Sequence, residues 1–150
     1  MITDALLTFS LAQALTSTGT VNSTNVLDMG AARELSIGNM PLQLTVSVGA
    51  TFTSGGAGTL AIEFQGSVDN STFTTYLTSP TYALADLTAG KQLFSIYWPA
   101  PPSSAATGRY FRLRYIVGGA AMTAGTVNAM FVLERGSLPL QYPAGINPAV

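Results

Sequence analysis

Apolar and polar side chains alternate with a period of two along most of this chain, and helical spacing is almost absent after the first fifteen residues. Leu42, Leu44, Val46 and Val48 fall on one side and Gln43, Thr45 and Ser47 on the other, which predicts a half-buried strand. Leu60, Ile62 and Phe64 alternate in the same way with Ala61, Glu63 and Gln65. The flexible stretch Thr53-Ser-Gly-Gly-Ala-Gly58 lies between, so the two runs read as a hairpin. Further strands are predicted at Val21 to Leu27, Phe73 to Leu77, Leu93 to Trp98, Tyr110 to Val117 and Val127 to Glu134. The separators are rich in turn formers: Asp69-Asn-Ser71, Ala89-Gly-Lys91, Pro99 to Ser104 and Gly118 to Gly125. Short β runs with no crossover helices exclude a parallel α/β fold and predict an all-β antiparallel sandwich or barrel.

Two strands carry more detail. Phe111, Leu113, Tyr115 and Val117 share one face, assigned to the core, while Tyr110, Arg112, Arg114 and Ile116 share the other. In the last strand Val127, Ala129, Phe131 and Leu133 alternate with Asn128, Met130, Val132 and Glu134. An outward face that carries Met130 and Val132 marks a contact surface. The termini break the pattern. Residues 1–20 hold Leu6, Leu7, Phe9, Leu11 and Leu15 at a spacing that fits neither a clean helix nor a clean strand. Residues 136–150, with Leu138, Leu140 and Tyr142, contain three prolines and cannot continue a ladder. The expected organisation is an N-terminal arm over 1–20, a sandwich over 21–135 and a C-terminal arm over 136–150. Each arm lies either on its own sandwich or on a neighbouring subunit.

Composition narrows the function. The 150 residues make one domain the default, long enough to bury a real core. Only 9% are charged, against about 25% in a typical soluble domain, while 47% are hydrophobic. Such a deficit points to surface covered by other protein. There is no cysteine and no histidine, which removes disulfides, thiolate nucleophiles, zinc knuckles and the usual general base. A formal net charge of −1 argues against nucleic acid, whose phosphates need clustered Lys and Arg. Residues 5–15 have the look of a signal-peptide core, but Met1-Ile-Thr-Asp4 before them is acidic where positive charge is required. The uncharged stretch Tyr115 to Leu133 approaches transmembrane length, yet its glycines and alternating ends fit two strands and a turn better, so no membrane partner is expected.

No constellation stands out as catalytic. A carboxylate pair would have to come from Asp4, Asp28, Glu34, Glu63, Asp69, Asp86 and Glu134, and Glu63 and Glu134 sit on strand faces opposite the apolar stripe. Asp69-Asn-Ser71 offers oxygens to calcium, but the same string is ordinary tight-turn chemistry. Gly55-Gly-Ala-Gly58 lacks the Lys and the helix of a phosphate cradle. No catalytic, cofactor or metal residue is therefore assigned. Arg112 and Arg114, beside Arg109, suit a protein interface, where a planar guanidinium pairs with carboxylates or carbonyls. Trp98 fits either a core lid or an exposed anchor.

Taken together, several stretches resemble one family. Asp4-Ala-Leu-Leu-Thr-Phe-Ser10 with Ala12-Gln-Ala14, Ser23-Thr-Asn-Val-Leu-Asp-Met-Gly30, Phe64-Gln-Gly-Ser-Val-Asp-Asn-Ser-Thr-Phe73, Gly108-Arg-Tyr-Phe-Arg-Leu-Arg-Tyr115 and Gly125-Thr-Val127 are similar to the Bbp16-like capsid cement proteins of tailed bacteriophages. The resemblance implies a jelly-roll sandwich, no enzymatic activity, and an oligomeric cement unit, dimer or trimer, on the outer capsid shell. It implies the major capsid protein as partner, and assembly in a host cytoplasm agrees with the missing cysteines. Contact residues are expected among Leu6, Leu7, Phe9, Leu11, Leu15, Trp98, Arg112, Arg114, Met130, Val132, Leu138, Leu140 and Tyr142. Removing residues 1–18 should then leave a folded sandwich that no longer decorates capsids. A carbohydrate-binding jelly roll is the alternative, since Gln65 to Phe73 is similar to a segment of discoidin-like domains and Trp98 offers a sugar platform. A small-virus shell protein ranks last, because residues 1–32 hold no Lys or Arg for a genome-neutralising arm.

Overall fold

In a computed structural model the described residues are 5–32, 42–97 and 108–133. A short 3-10 turn, Ala5–Leu7, leads into ten strands: β1 Thr8–Ala14, β2 Gly19–Asn22, β3 Leu27–Asp28, β4 Leu42–Ser54, β5 Thr59–Ser67, β6 Thr74–Thr78, β7 Tyr82–Ala83, β8 Gln92–Tyr97, β9 Tyr110–Gly118 and β10 Met122–Leu133. They form two antiparallel sheets packed as a sandwich. One sheet runs β1-β10-β4-β8 and the other β2-β9-β5-β6, with β3 added to β9 and β7 to β5.

Of the main strands, only β5 and β6 follow each other within one sheet, and every other step along the chain crosses between sheets. The expected hairpin is thereby corrected. β4 and β5 alternate as foreseen but lie in opposite sheets, and so do β9 and β10. The loops over 55–58 and 119–121 are therefore crossings, and they lie against each other: a Cβ on Gly56 would stand 3.1 Å from the Ala120 Cβ. The wide turn expected over Gly118 to Gly125 shrinks as well. β10 already begins at Met122, whose side chain is buried against Gly58.

Apolar faces meet between the sheets. Leu44, Val46 and Val48 of β4 and Val127, Ala129 and Phe131 of β10 oppose Leu60, Ile62 and Phe64 of β5 and Phe111, Leu113, Tyr115 and Val117 of β9. Phe64 is the hub. Its ring stacks on Phe111 at 5.6 Å and meets Phe9, Phe131 and Tyr76 edge-on at 6.1, 5.9 and 5.9 Å. Such offset and edge-on pairs add attraction beyond the area they bury.

Over residues 8–14 the expected N-terminal arm lies on the chain's own sandwich. Residues 8–14 are an edge strand of the first sheet, paired with β10 from Thr8↔Met130 to Ala14↔Thr126. Phe9 and Leu15 are both 0% exposed in the core. Two register shifts, between Thr8 and Ser10 and between Ser10 and Gln13, insert bulges that hide the repeat from a period-two reading. Ser10 is buried while Leu11 is turned outward, 74% exposed. The expected strand over Val21 to Leu27 is also broken. β2 and β3 both pair with β9, and between them Ser23 makes one backbone bond, its N–H donating to the Leu113 carbonyl at 2.8 Å, and one side-chain bond, its Oγ accepting from the Leu113 N–H at 3.1 Å.

Candidate functional site

The outward face of the second sheet brings together Glu63, Arg112 and Arg114, three of the eight charged side chains among the described residues. Register places Glu63 opposite Arg114 and Gln65 opposite Arg112, with Gln65 facing Thr75 on the other side. The Arg114 Nε donates to Glu63 Oε2 at 2.8 Å, and the Arg112 Nε donates to Gln65 Oε1 at 2.9 Å. Gln65 Nε2 in turn donates to Glu63 Oε2 at 3.2 Å and to Thr75 Oγ1 at 3.0 Å. The Arg112 guanidinium lies 3.7 Å from the centre of the Phe73 ring, a cation–π stack. Partial burial, with Arg114 beside it, lowers the Arg112 pKa, though a guanidinium stays charged at neutral pH. The arginines expected at an interface thus pair within the chain. With one carboxylate against two guanidiniums, the three side chains carry a net charge of +1.

The remaining carboxylates of the described residues are engaged too. Asp86 pairs with Lys91 at 2.7 Å. Asp69 Oδ1 accepts from Ser67 Oγ and from the N–H groups of Ser71 and Thr72, so Asp69-Asn-Ser71 is a turn, with Asn70 at φ 59°. Asp28 holds Arg109 with both oxygens, at 2.6 and 2.7 Å, and accepts the Gly30 N–H at 2.8 Å. The Arg109 hydrogen bond first, then that of Gly30, lowers the Asp28 pKa from 3.8 to about 2. A carboxylate depressed on folding stabilises above its unfolded pKa of 3.8, and the contribution fades as pH falls towards 2. Asp28→Asn should therefore flatten the acid limb. Between about pH 6 and about pH 2.5 the urea midpoint of the variant should fall less than that of the parent, and an equal fall would remove Asp28 from the acid response.

A different chemistry occupies the flank made by β1, β2 and the segment joining β2 to β3. Ser10 Oγ donates to Gln13 Oε1 at 2.6 Å and lies 2.8 Å from the buried Tyr115 hydroxyl across the sandwich. Burial pushes the Tyr115 phenol pKa well above its ordinary value. Gln13 Oε1 also accepts from the N–H and Oγ1 of Thr24, and its Nε2 donates to the Asn22 carbonyl at 2.8 Å. Asn25 covers the next stretch of β1: its N–H donates to the Phe9 carbonyl at 2.9 Å and its Nδ2 to the Thr8 carbonyl at 3.0 Å. Ser23-Thr-Asn25 thus closes what would be an open strand edge. At the bulge Ala12 takes φ 49°, unusual for a residue with a Cβ, and its N–H donates to Asn128 Oδ1 at 2.7 Å. These bonds hold Leu11 pointing into solvent. On the same flank Leu6 (81% exposed), Thr8, Thr24, Asn25, Val26 and Asp28 are among the residues that line an open groove.

The expected contact residues therefore separate. Leu6 and Leu11 are exposed, and Leu7 is half-buried against the core. Phe9 and Leu15 are corrected to core residues of this chain, and Val132, at 1% exposure, is likewise closed off from solvent. Met130, Arg112 and Arg114 are half-buried. Trp98, Leu138, Leu140 and Tyr142 lie outside the described residues. Val26, Val68 and Tyr97 are exposed apolar positions that the sequence reading did not single out. For Val26 the available signal was its place between polar Asn25 and apolar Leu27 in an uncharged run. Among the described residues no group of three or more metal-ligating side chains converges, and no helix is long and apolar enough to cross a membrane.

A family model described as Bbp16 matches residues 9–131, from within β1 to within β10. No curated protein matches the chain.

Proposed function

We propose, from the premise that this chain belongs to the Bbp16 family, that it is a non-enzymatic structural protein of a tailed-phage virion, cementing the outside of the capsid across neighbouring major capsid protein subunits. The observation that carries the reading is the extent of the family match, which takes in strands of both sheets. The alternation of strands between the two sheets supports the jelly roll that the resemblance implies. Low charge supports it further. A protein with 9% charged residues covers its surface with other protein at little cost in ion desolvation. A cement unit gains from several modest contacts at once, since each binding event raises the effective concentration for the next. The stretch that favoured a carbohydrate site, Gln65 to Phe73, is engaged internally, with Gln65 tied to Arg112 and Phe73 covered by it.

The test is co-sedimentation of the full chain with purified mature capsids stripped of it, followed by heating of bare and decorated particles. Saturable binding in a fixed ratio to the major capsid protein, with a higher disruption temperature, is expected. Absence of binding to the capsids of its own phage would end the reading.

A further inference from the structure

From the pairing of charges on the second sheet, we infer that Arg112 is an anchor for the capsid partner, its guanidinium receiving an Asp or Glu side chain of the major capsid protein in a seat built by Gln65 and Phe73. The inference rests on the capsid reading and adds the chemistry of one contact. Three observations converge. The first is an imbalance. Of the four cations among the described residues, Lys91, Arg109 and Arg114 each hold a carboxylate, whereas Arg112 holds only an amide. No described carboxylate is left over for it. Asp86, Asp28 and Glu63 are taken by those three cations, and Asp69 is closed on its own turn. Register shows where the matching charge is missing: Glu63 stands opposite Arg114, but at the equivalent place opposite Arg112 stands the neutral Gln65. An amide oxygen accepts a hydrogen bond without cancelling the charge.

The second is preorganisation. Gln65 is buried, and its amide is fixed by bonds to Glu63 and Thr75, so its oxygen is turned to the Arg112 Nε at 2.9 Å. The Phe73 ring lies 3.7 Å from the guanidinium carbon and covers one face of the group. Nε and that face are thus occupied, while Nη1 and Nη2 find no acceptor among the described residues. Two parallel N–H groups on one edge are the fork that a carboxylate accepts with both oxygens. The third is the scale of the charge. A single unmatched guanidinium, in a chain of net charge −1, suits one carboxylate, whereas a phosphate backbone demands a cluster of cations. Arginine is also enriched at the centres of protein interfaces.

The full chain and its variants are co-sedimented with stripped capsids. Arg112→Gln should lower the affinity about tenfold or more, as the loss of a charge-assisted pair does, with a far-UV spectrum like the parent's. Lys91→Gln, which removes a cation of the exposed Lys91–Asp86 pair, should leave the affinity within about twofold. A second readout does not depend on the folding of Arg112→Gln. Capsids saturated with the Arg112→Lys chain and treated with a water-soluble carbodiimide should yield an amide between the introduced amine and an Asp or Glu of the major capsid protein. A parent chain that does not bind ends the capsid reading and this contact with it. A parent chain that binds, with Arg112→Gln binding as tightly or with no such cross-link at saturation, overturns the contact alone. Equal losses in Arg112→Gln and Lys91→Gln overturn it too, since they would report bulk charge. So does a single-stranded oligonucleotide that the parent binds and Arg112→Gln does not, with capsid binding intact.

Discussion

A chain lacking residues 1–18 will not fold. The deletion removes β1 from the edge of its sheet, and with it Phe9 and Leu15, each fully buried. Loss of a buried phenylalanine costs about 3–5 kcal/mol and of a buried leucine about 2–5 kcal/mol. Ser10 is lost as well, which leaves the buried Tyr115 hydroxyl without its partner, a further cost of about 1–3 kcal/mol. Together these reach the entire stability of a typical domain, about 5–15 kcal/mol. The deletion also bares β10 along its pairing edge, an invitation to aggregation. Far-UV circular dichroism and urea titration check it: no cooperative transition is expected. A truncated chain unfolding cooperatively within about 1 kcal/mol of the parent would show that β1 is not part of the core. Decoration therefore cannot be probed by removing 1–18, and single exposed positions such as Leu6 and Leu11 are the ones to change.

Gly119→Ala should cost about 3 kcal/mol, lowering Tm by about 10 °C for a domain of this size. Gly119 sits at φ +72°, and a Cβ there would lie 2.0 Å from the Ala57 carbonyl oxygen. The left-handed conformation alone costs an L residue about 1–2 kcal/mol. The clash is with backbone, which has no rotamer to move, so one sheet-crossing loop must shift off the other. Gly55→Ala is the matched control, since a Cβ at Gly55 meets nothing within 4 Å, and its change should stay within about 0.5 kcal/mol. Equal effects at the two positions would refute the close approach of the crossings.

The difference between these glycines illustrates what each level of description carries. As sequence, Gly55 and Gly119 are both loop glycines beside strands. Only the crossing of β4 to β5 against that of β9 to β10 gives one of them a neighbour. The hairpin reading failed for the same reason. Alternation says which side chains face the core, but a loop of a few residues serves equally to return within a sheet or to pass to the opposite one. At the β1 flank, Leu11 has the same parity as Phe9 and Leu15, and only the bulges turn it outward.

By itself, then, the sequence determined the all-β class, the inward set Leu44, Val46, Leu60, Ile62, Phe64, Phe111, Leu113 and Tyr115, and the shortage of charge, because these follow from side-chain periodicity and composition, which are local. Tertiary structure alone decided which strands share a sheet, that Arg112 and Arg114 find Gln65 and Glu63 on the adjacent strand, and that Leu11 stands in solvent while Phe9 does not. Those outcomes depend on register and on contacts between residues about fifty to a hundred positions apart. No local pattern encodes such pairings, since the free energy that selects them is realised only once both partners are in place.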